Sequence, residues 1–211
     1  MRKSEIVALV IILASFLVSF YFYPQMPENV ASHWNIEGQV DGYMNRFWGT
    51  FMMPLVILGL FLLFAFIPKI DPLKKNIEDF RKEFDLFIIV FLIFMFSIHV
   101  QVILWNIGVK INPGITIPIG IGILFIFIGS LLEKAKRNWF IGIRTPWTLS
   151  SDNVWDKTHK LGAKVFRILG VLFIFTAFFP QQMFFTLMVF IFAGVFYLFI
   201  YSYIEYKKEK K

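Results

Sequence analysis

Long apolar runs separated by short charged segments set the pattern of this chain. No Asp, Glu, Lys or Arg occurs between Glu5 and Glu28, Arg46 and Lys69, Asp85 and Lys110, or Lys110 and Glu133, gaps of 22, 22, 24 and 22 residues. Each is long enough for a helix to cross a bilayer core, which takes about 20 residues. A fifth gap of 37 residues, from Arg167 to Glu205, is too long for one crossing at about 1.5 Å per residue. Pro180-Gln181-Gln182 divides it, because proline removes a backbone donor and disfavours helix in the residue before it. The span before that break starts near Ala163, with Lys164 and Arg167 reaching back to the interface. The pattern predicts an all-α, polytopic membrane bundle of six transmembrane helices.

Composition agrees: 58% of the 211 residues are hydrophobic and 17% charged, against about 25% charged in soluble domains. Twenty-eight phenylalanines cannot be hidden in one small globular core. The absence of cysteine excludes disulfides and thiolate metal sites. Of the 21 Lys and Arg residues, nineteen flank the N-terminus, the second and fourth loops and the C-terminus. Only Arg46 and Lys110 fall in the remaining loops. By the positive-inside rule both termini and those two loops are cytoplasmic. The net charge of +7 is thus a topology signal. It lies in scattered membrane-flanking clusters, which makes the lipid bilayer the expected partner and argues against direct nucleic-acid binding.

Two segments carry more than membrane filler. The first loop, YPQMPENVASHWNIEGQVDGYMNR, is the sizeable external one. Pro24 and Pro27 enforce an extended exit from the first span, and Gly38 and Asp41-Gly42 mark two tight turns. His33, Glu37 and Asp41 recur every four residues, each able to accept a proton or ligate a cation. Gly38 weakens any helix that would align them. The alternative is that His33 and Asp41 bond to loop backbone and hold the turns. Trp34, Tyr43 and Trp48 fit an interfacial aromatic belt. Within the spans, His99 is the one clear ionisable side chain, and Asn106 shares its face. That face, in the outer half of the third span, is placed to meet the His33 loop around a cavity. An interhelical hydrogen bond is the plainer role for His99. Gly120, Gly122 and Gly129 in the fourth span favour close helix packing.

The second segment is the cytoplasmic fourth loop, NWFIGIRTPWTLSSDNVWDKTH, Asn138 to His159. Gly142 permits close backbone approach, and Pro146 forces Thr145 into extended geometry. Arg144 beside Trp147 is suited to stacking or to clamping an anion. Ser150, Ser151 or Asp152 caps a helix starting near Val154. Its stripe of Val154, Leu161 and Val165, flanked by Lys157, Lys160 and Lys164, suits a membrane surface, with Trp139 and Trp147 as belt residues. Trp155 and His159 lie on a separate face. A surface helix accounts for the Trp and Lys residues. It leaves the run from Gly142 to Thr148 unexplained.

That run, GIRTPWTLSSDNVW…TH from Gly142 to His159, closely resembles the signature of the SdpI-type bacteriocin immunity proteins. The external stretch from Pro24 to Arg46, with Pro54 beyond it, is similar to the N-terminal membrane domain of unknown function that accompanies it. Arg46 stands where a lysine is more usual, with the charge kept. The resemblance covers nearly the whole chain and implies two units. Residues 1–84 form a two-helix unit with an external loop, 24–49. Residues 85–211 form a four-helix unit with the cytoplasmic signature loop, 133–162. It further implies protection against, or sensing of, a secreted antimicrobial peptide, with an ArsR-type repressor as an inner partner. On that reading His33, Trp34, Glu37, Gly38, Asp41, Gly42, His99 and Asn106 meet the ligand. Asn138, Trp139, Gly142, Arg144, Thr145, Pro146, Trp147, Thr148, Trp155 and His159 stabilise the bundle or signal inward. No cofactor, metal or catalytic residue is expected. The alternative is a transporter or channel using His99 and Asn106, although no span has the paired acids and bases of proton coupling. An intramembrane hydrolase ranks last, since the histidines are isolated and no HExxH is present.

Overall fold

A computed structural model describes residues 1–179 and 182–210. Most of the chain is helical: α1 (Lys3–Phe22), α2 (Arg46–Ile70), α3 (Lys74–Asp79), α4 (Arg81–Asn106), α5 (Pro113–Lys134), α6 (Pro146–Ser150), α7 (Asp152–Thr176) and α8 (Gln182–Glu209). Five of these, α1, α2, α4, α5 and α8, are long and apolar enough to cross a membrane. The protein is a multi-pass cell-membrane protein. Helix α7 has the length, 25 residues, but its first half carries the charges of DNVWDKTHK. The proposed break at Pro180 and Gln181 lies outside the described residues.

One departure from an all-α chain is the first loop, which folds as an antiparallel hairpin of β1 (Asn29–Trp34) and β2 (Val40–Asn45). Two turns were expected there and one forms. Asn35 builds it by accepting from the backbone N–H groups of Glu37 (3.0 Å) and Gln39 (2.9 Å), and Gly38 takes φ +77°. Asp41-Gly42 instead lies within β2, opposite a register irregularity on β1. Gly42 is needed there because a Cβ would stand 2.9 Å from that of His33. Alternating extended residues with Val, Tyr and Trp favour strands once a tight turn pairs them.

The helices bury one large continuous set of side chains, with a separate small one of Met26, Val30 and Ile103 under the hairpin. Ala8 and Ile12 of α1, Ile57 of α2 and Phe84, Ile88 and Leu92 of α4 form one core. It continues through Ile77 and Phe80 to Leu131, Ala135, Ile141 and Trp155, so both halves of the chain share it at the end opposite the hairpin. The α5–α7 pair packs backbone to backbone and antiparallel. A Cβ on Gly122 would lie 2.5 Å from the Gly170 carbonyl, and one on Gly129 would lie 2.8 Å from that of Ala163. Small residues that let helices approach this closely are how helices associate without a hydrophobic drive between them. An ion pair between Glu133 and Arg167 closes the same crossing.

Candidate functional site

At the end opposite the hairpin, the 135–151 segment is held by its own polar groups and by bonds to α7, α8 and the loop after α2. Fully buried Asn138 uses its whole amide: Oδ1 accepts from the backbone of Phe140 (2.9 Å) and Ile141 (2.6 Å), and Nδ2 donates to the carbonyls of Lys136 and Ile141 (both 2.9 Å). Thr145 caps α6 reciprocally with Thr148, Pro146 opening the helix where no N–H is required. Thr145 Oγ1 also lies 3.1 Å from Ser202 Oγ, and Trp147 packs on Phe199 and Tyr203, so this turn is fastened to α8. Arg144 was expected over Trp147 or on an anion. Its Nη1 donates instead to the Trp139 carbonyl (2.6 Å), while Trp147 is engaged by α8. Ser151 caps α7, accepting from the Val154 N–H.

The centre of this segment is a stack of Trp155 and His159, with centroids 3.9 Å apart and planes at 17°. Trp155 Nε1 donates to the Ala135 carbonyl (2.8 Å). His159 Nδ1 donates to the Trp155 carbonyl (2.9 Å), leaving Nε2 to accept from the Ile143 N–H (3.0 Å). Both nitrogens are therefore assigned, and the ring is neutral. The membrane-surface reading rests on the stripe of Val154, Leu161 and Val165, yet Val154 is fully buried. The separate Trp155–His159 face is buried against the loop, where both polar rings find backbone partners.

Burial holds the His159 pKa down at about 4 against an ordinary 6.5, the bond to the Trp155 carbonyl opposing it only partly. A proton on Nε2 would face the Ile143 N–H, donor against donor. The unfolded chain takes up this proton first, so stability is full above about pH 6.5 and falls as pH drops toward 4, by roughly 1.4 kcal/mol per unit. Thermal unfolding in detergent between pH 7.5 and 4.5 should therefore show a steeper acid loss for the native protein than for His159→Gln. Equal slopes would mean that His159 titrates freely.

Sequence reasoning missed the acid that joins two loops. Asp71, buried beyond α2, accepts from the backbone N–H groups of Trp139 (2.9 Å) and Leu73 (2.6 Å). Asn76 adds a bond to the Arg137 carbonyl (2.7 Å). An Asp-Pro after a helix looks like any solvated loop, so nothing in the sequence marks it.

At the hairpin end lies a cavity of about 470 Å³, the size of a small-ligand site. It is bounded by the hairpin, α2, α4, the start of α5 and the end of α7. Of the residues singled out from sequence, His33, Trp34 and His99 line it. Glu37 sits at the hairpin turn and Asp41 pairs with His33 at 2.5 Å beside it. Gly38 and Gly42 shape the hairpin without lining the cavity. Asn106 serves as a clamp between β1 and the end of α4. Its Oδ1 accepts from the Ala31 N–H (2.8 Å) and its Nδ2 donates to the Ala31 carbonyl (3.0 Å). Met44, Met52, Met53, Ile117 and Phe179 supply apolar wall, and in a sequence this apolar they are indistinguishable from lipid-facing residues.

Fully buried His99 forms the polar part of this wall. Ser19 Oγ donates to the Thr50 carbonyl (2.8 Å), so toward the imidazole it presents a lone pair. His99 Nε2 lies 3.1 Å from that oxygen and 3.2 Å from the Ser15 carbonyl. Facing two acceptors, Nε2 carries the hydrogen.

Residues 134–202 match the model of the SdpI/YfhL protein family, and residues 10–58 match a domain of unknown function, DUF1648. Over 187 residues the chain is 26% identical to the immunity protein SdpI of Bacillus subtilis (strain 168), covering 89% of this chain and 87% of that protein. Over residues 134–202 the chain is similar to the SdpI/YfhL family. No solved structure matches it. The SdpI/YfhL region runs from the end of α5 through most of α8 and contains the whole Trp155–His159 assembly. The 10–58 region supplies the hairpin and the α2 face of the cavity. The cavity therefore takes lining from both matched regions and from α4 and α5 between them. Among the described residues, no three His, Asp or Glu side chains are placed to hold a metal.

Proposed function

We propose that this protein is a membrane immunity protein that takes up part of an extracellular antimicrobial peptide in the cavity beneath the hairpin. The observation that carries this is the cavity itself, ligand-sized, mostly apolar and built jointly from the two matched regions. On this reading the chain crosses the bilayer six times, α7 being the fifth crossing, with both termini inside. The distribution of Lys and Arg, nineteen to two, supports that orientation, and puts the hairpin outside. Heterologous protection of a peptide-sensitive cell tests the proposal. Ile117→Trp, which fills the cavity, should abolish protection while the protein still inserts. His33→Ala and Asp41→Ala remove an exposed pair worth at most about 1 kcal/mol, so their loss should be partial, within about fivefold. Full protection by a properly inserted Ile117→Trp would remove the cavity from the mechanism.

A receptor role has its own support in helix α7. Thr176 at its end and Phe179 just beyond line the cavity, while Trp155 and His159 near its start hold the signature loop. One helix about 37 Å long thus touches both places. Occupancy of the cavity would be read inside as a change at that loop, where an ArsR-type repressor is the proposed partner.

A further inference from the structure

Among the described residues, two polar atoms beside the cavity have no partner. His99 Nδ1 and Trp34 Nε1 are both buried and unbonded, and both residues line the cavity. Their chemistry is complementary. With Nε2 of His99 committed as donor toward Ser15 and Ser19, Nδ1 of the neutral ring carries a lone pair and accepts. The Trp34 indole N–H can only donate. Its ring is fixed edge-on against Trp105, centroids 5.3 Å apart, so its direction is set by packing. Leaving either group dry and unpaired costs stability, and such orphans are uncommon in native proteins.

One acceptor and one donor on a largely apolar lining, which also includes Ser32, Asn35 and Thr176, match a secondary amide flanked by apolar groups. We propose that the cavity binds an extended peptide segment through one backbone amide, its N–H donated to His99 Nδ1 and its C=O accepting from Trp34 Nε1. The flanking side chains lie on the surrounding methionine and isoleucine surface, which is adaptable because methionine is unbranched and polarizable. This assignment rests on the cavity being the ligand site of the proposed function. It adds which chemical group is read there.

Purified full-length protein in detergent supplies the test, with N-benzylhexanamide as probe and two analogues. Benzyl hexanoate keeps the carbonyl and lacks the N–H; N-methyl-N-benzylhexanamide blocks the N–H. The native protein should bind the amide about tenfold more tightly than either analogue, the loss of one buried hydrogen bond. Trp34→Phe should weaken amide and ester alike, since both present a carbonyl. His99→Phe should erase the preference for the amide, whereas His99→Gln, whose side-chain oxygen restores an acceptor, should keep it. Equal binding of amide and ester by the native protein overturns the assignment without any variant having to fold. A preference that survives His99→Phe overturns the role of His99. Loss of the assignment with cell protection still dependent on Ile117 leaves the immunity reading standing, so the two failures are separable.

Discussion

Alanine at Gly142 is expected to leave little folded protein, although it adds only one methyl group. Gly142 has φ +116°, a region that residues with a Cβ rarely enter, at a cost of about 1–3 kcal/mol. The new Cβ would stand 2.4 Å from His159 Nε2 and 3.3 Å from the Trp155 ring. Relieving that clash moves the imidazole off the Ile143 N–H, and a buried donor left without its acceptor costs about 1–3 kcal/mol more. Together these approach half the stability of an ordinary protein, about 5–15 kcal/mol. Melting followed by size exclusion in detergent should show Gly142→Ala about 10 °C below the native protein, or absent from the membrane. Gly59→Ala is the control, since a Cβ there meets nothing within 4 Å and alanine favours helix. A Gly142→Ala protein melting within about 2 °C of native would contradict the arrangement of loop and imidazole.

The same residues show what a sequence can and cannot carry. Gly142, Trp155 and His159 stand out because a lipid-facing helix has no use for them, but their partners do not. Those partners are backbone groups, the Ile143 N–H and the Ala135 and Trp155 carbonyls, which every residue has. Charge spacing reveals most of the long helices because a bilayer core penalises charge over a fixed length. It is silent on the hairpin, where one turn signal, Gly38, is a turn and the other, Asp41-Gly42, is a strand irregularity. Only pairing of β1 with β2 distinguishes them. Pairing also brings His33 to Asp41, a couple that helical spacing suggests although the segment is not a helix. His99 and the His33 loop are expected around one cavity and both line it. Asn106, on the same helix face, is drawn away by Ala31, whose backbone groups need a partner at the sheet edge.

Valine at Gly170 should separate α5 from α7 and so disturb both ends of the molecule at once. A Cβ at Gly170 falls 2.6 Å from the Gly122 carbonyl and 3.0 Å from the Ile126 N–H nitrogen. These are backbone atoms of a helix and cannot rotate aside as a side chain would. The helices must part along their length, giving up the contacts of Gly129 with Ala163 as well. Overpacking at a single core site costs about 1–3 kcal/mol when side chains can adjust, and here they cannot. Gly194→Ala gives the contrast, because its Cβ would meet side-chain methyl carbons, Val165 Cγ1 at 3.1 Å and Leu169 Cδ1 at 3.7 Å, which can shift. It should melt near the native protein while Gly170→Val falls far below it. The gap between the helices is shared, so its opening is counted once. Gly122→Ala and Gly170→Ala should each destabilise strongly, and the double variant should be little worse than the poorer single one. Additive losses would mean that each methyl is absorbed locally. In that case α5 and α7 would not move as a rigid pair, and α7 would lose its standing as the element joining the cavity to the signature loop.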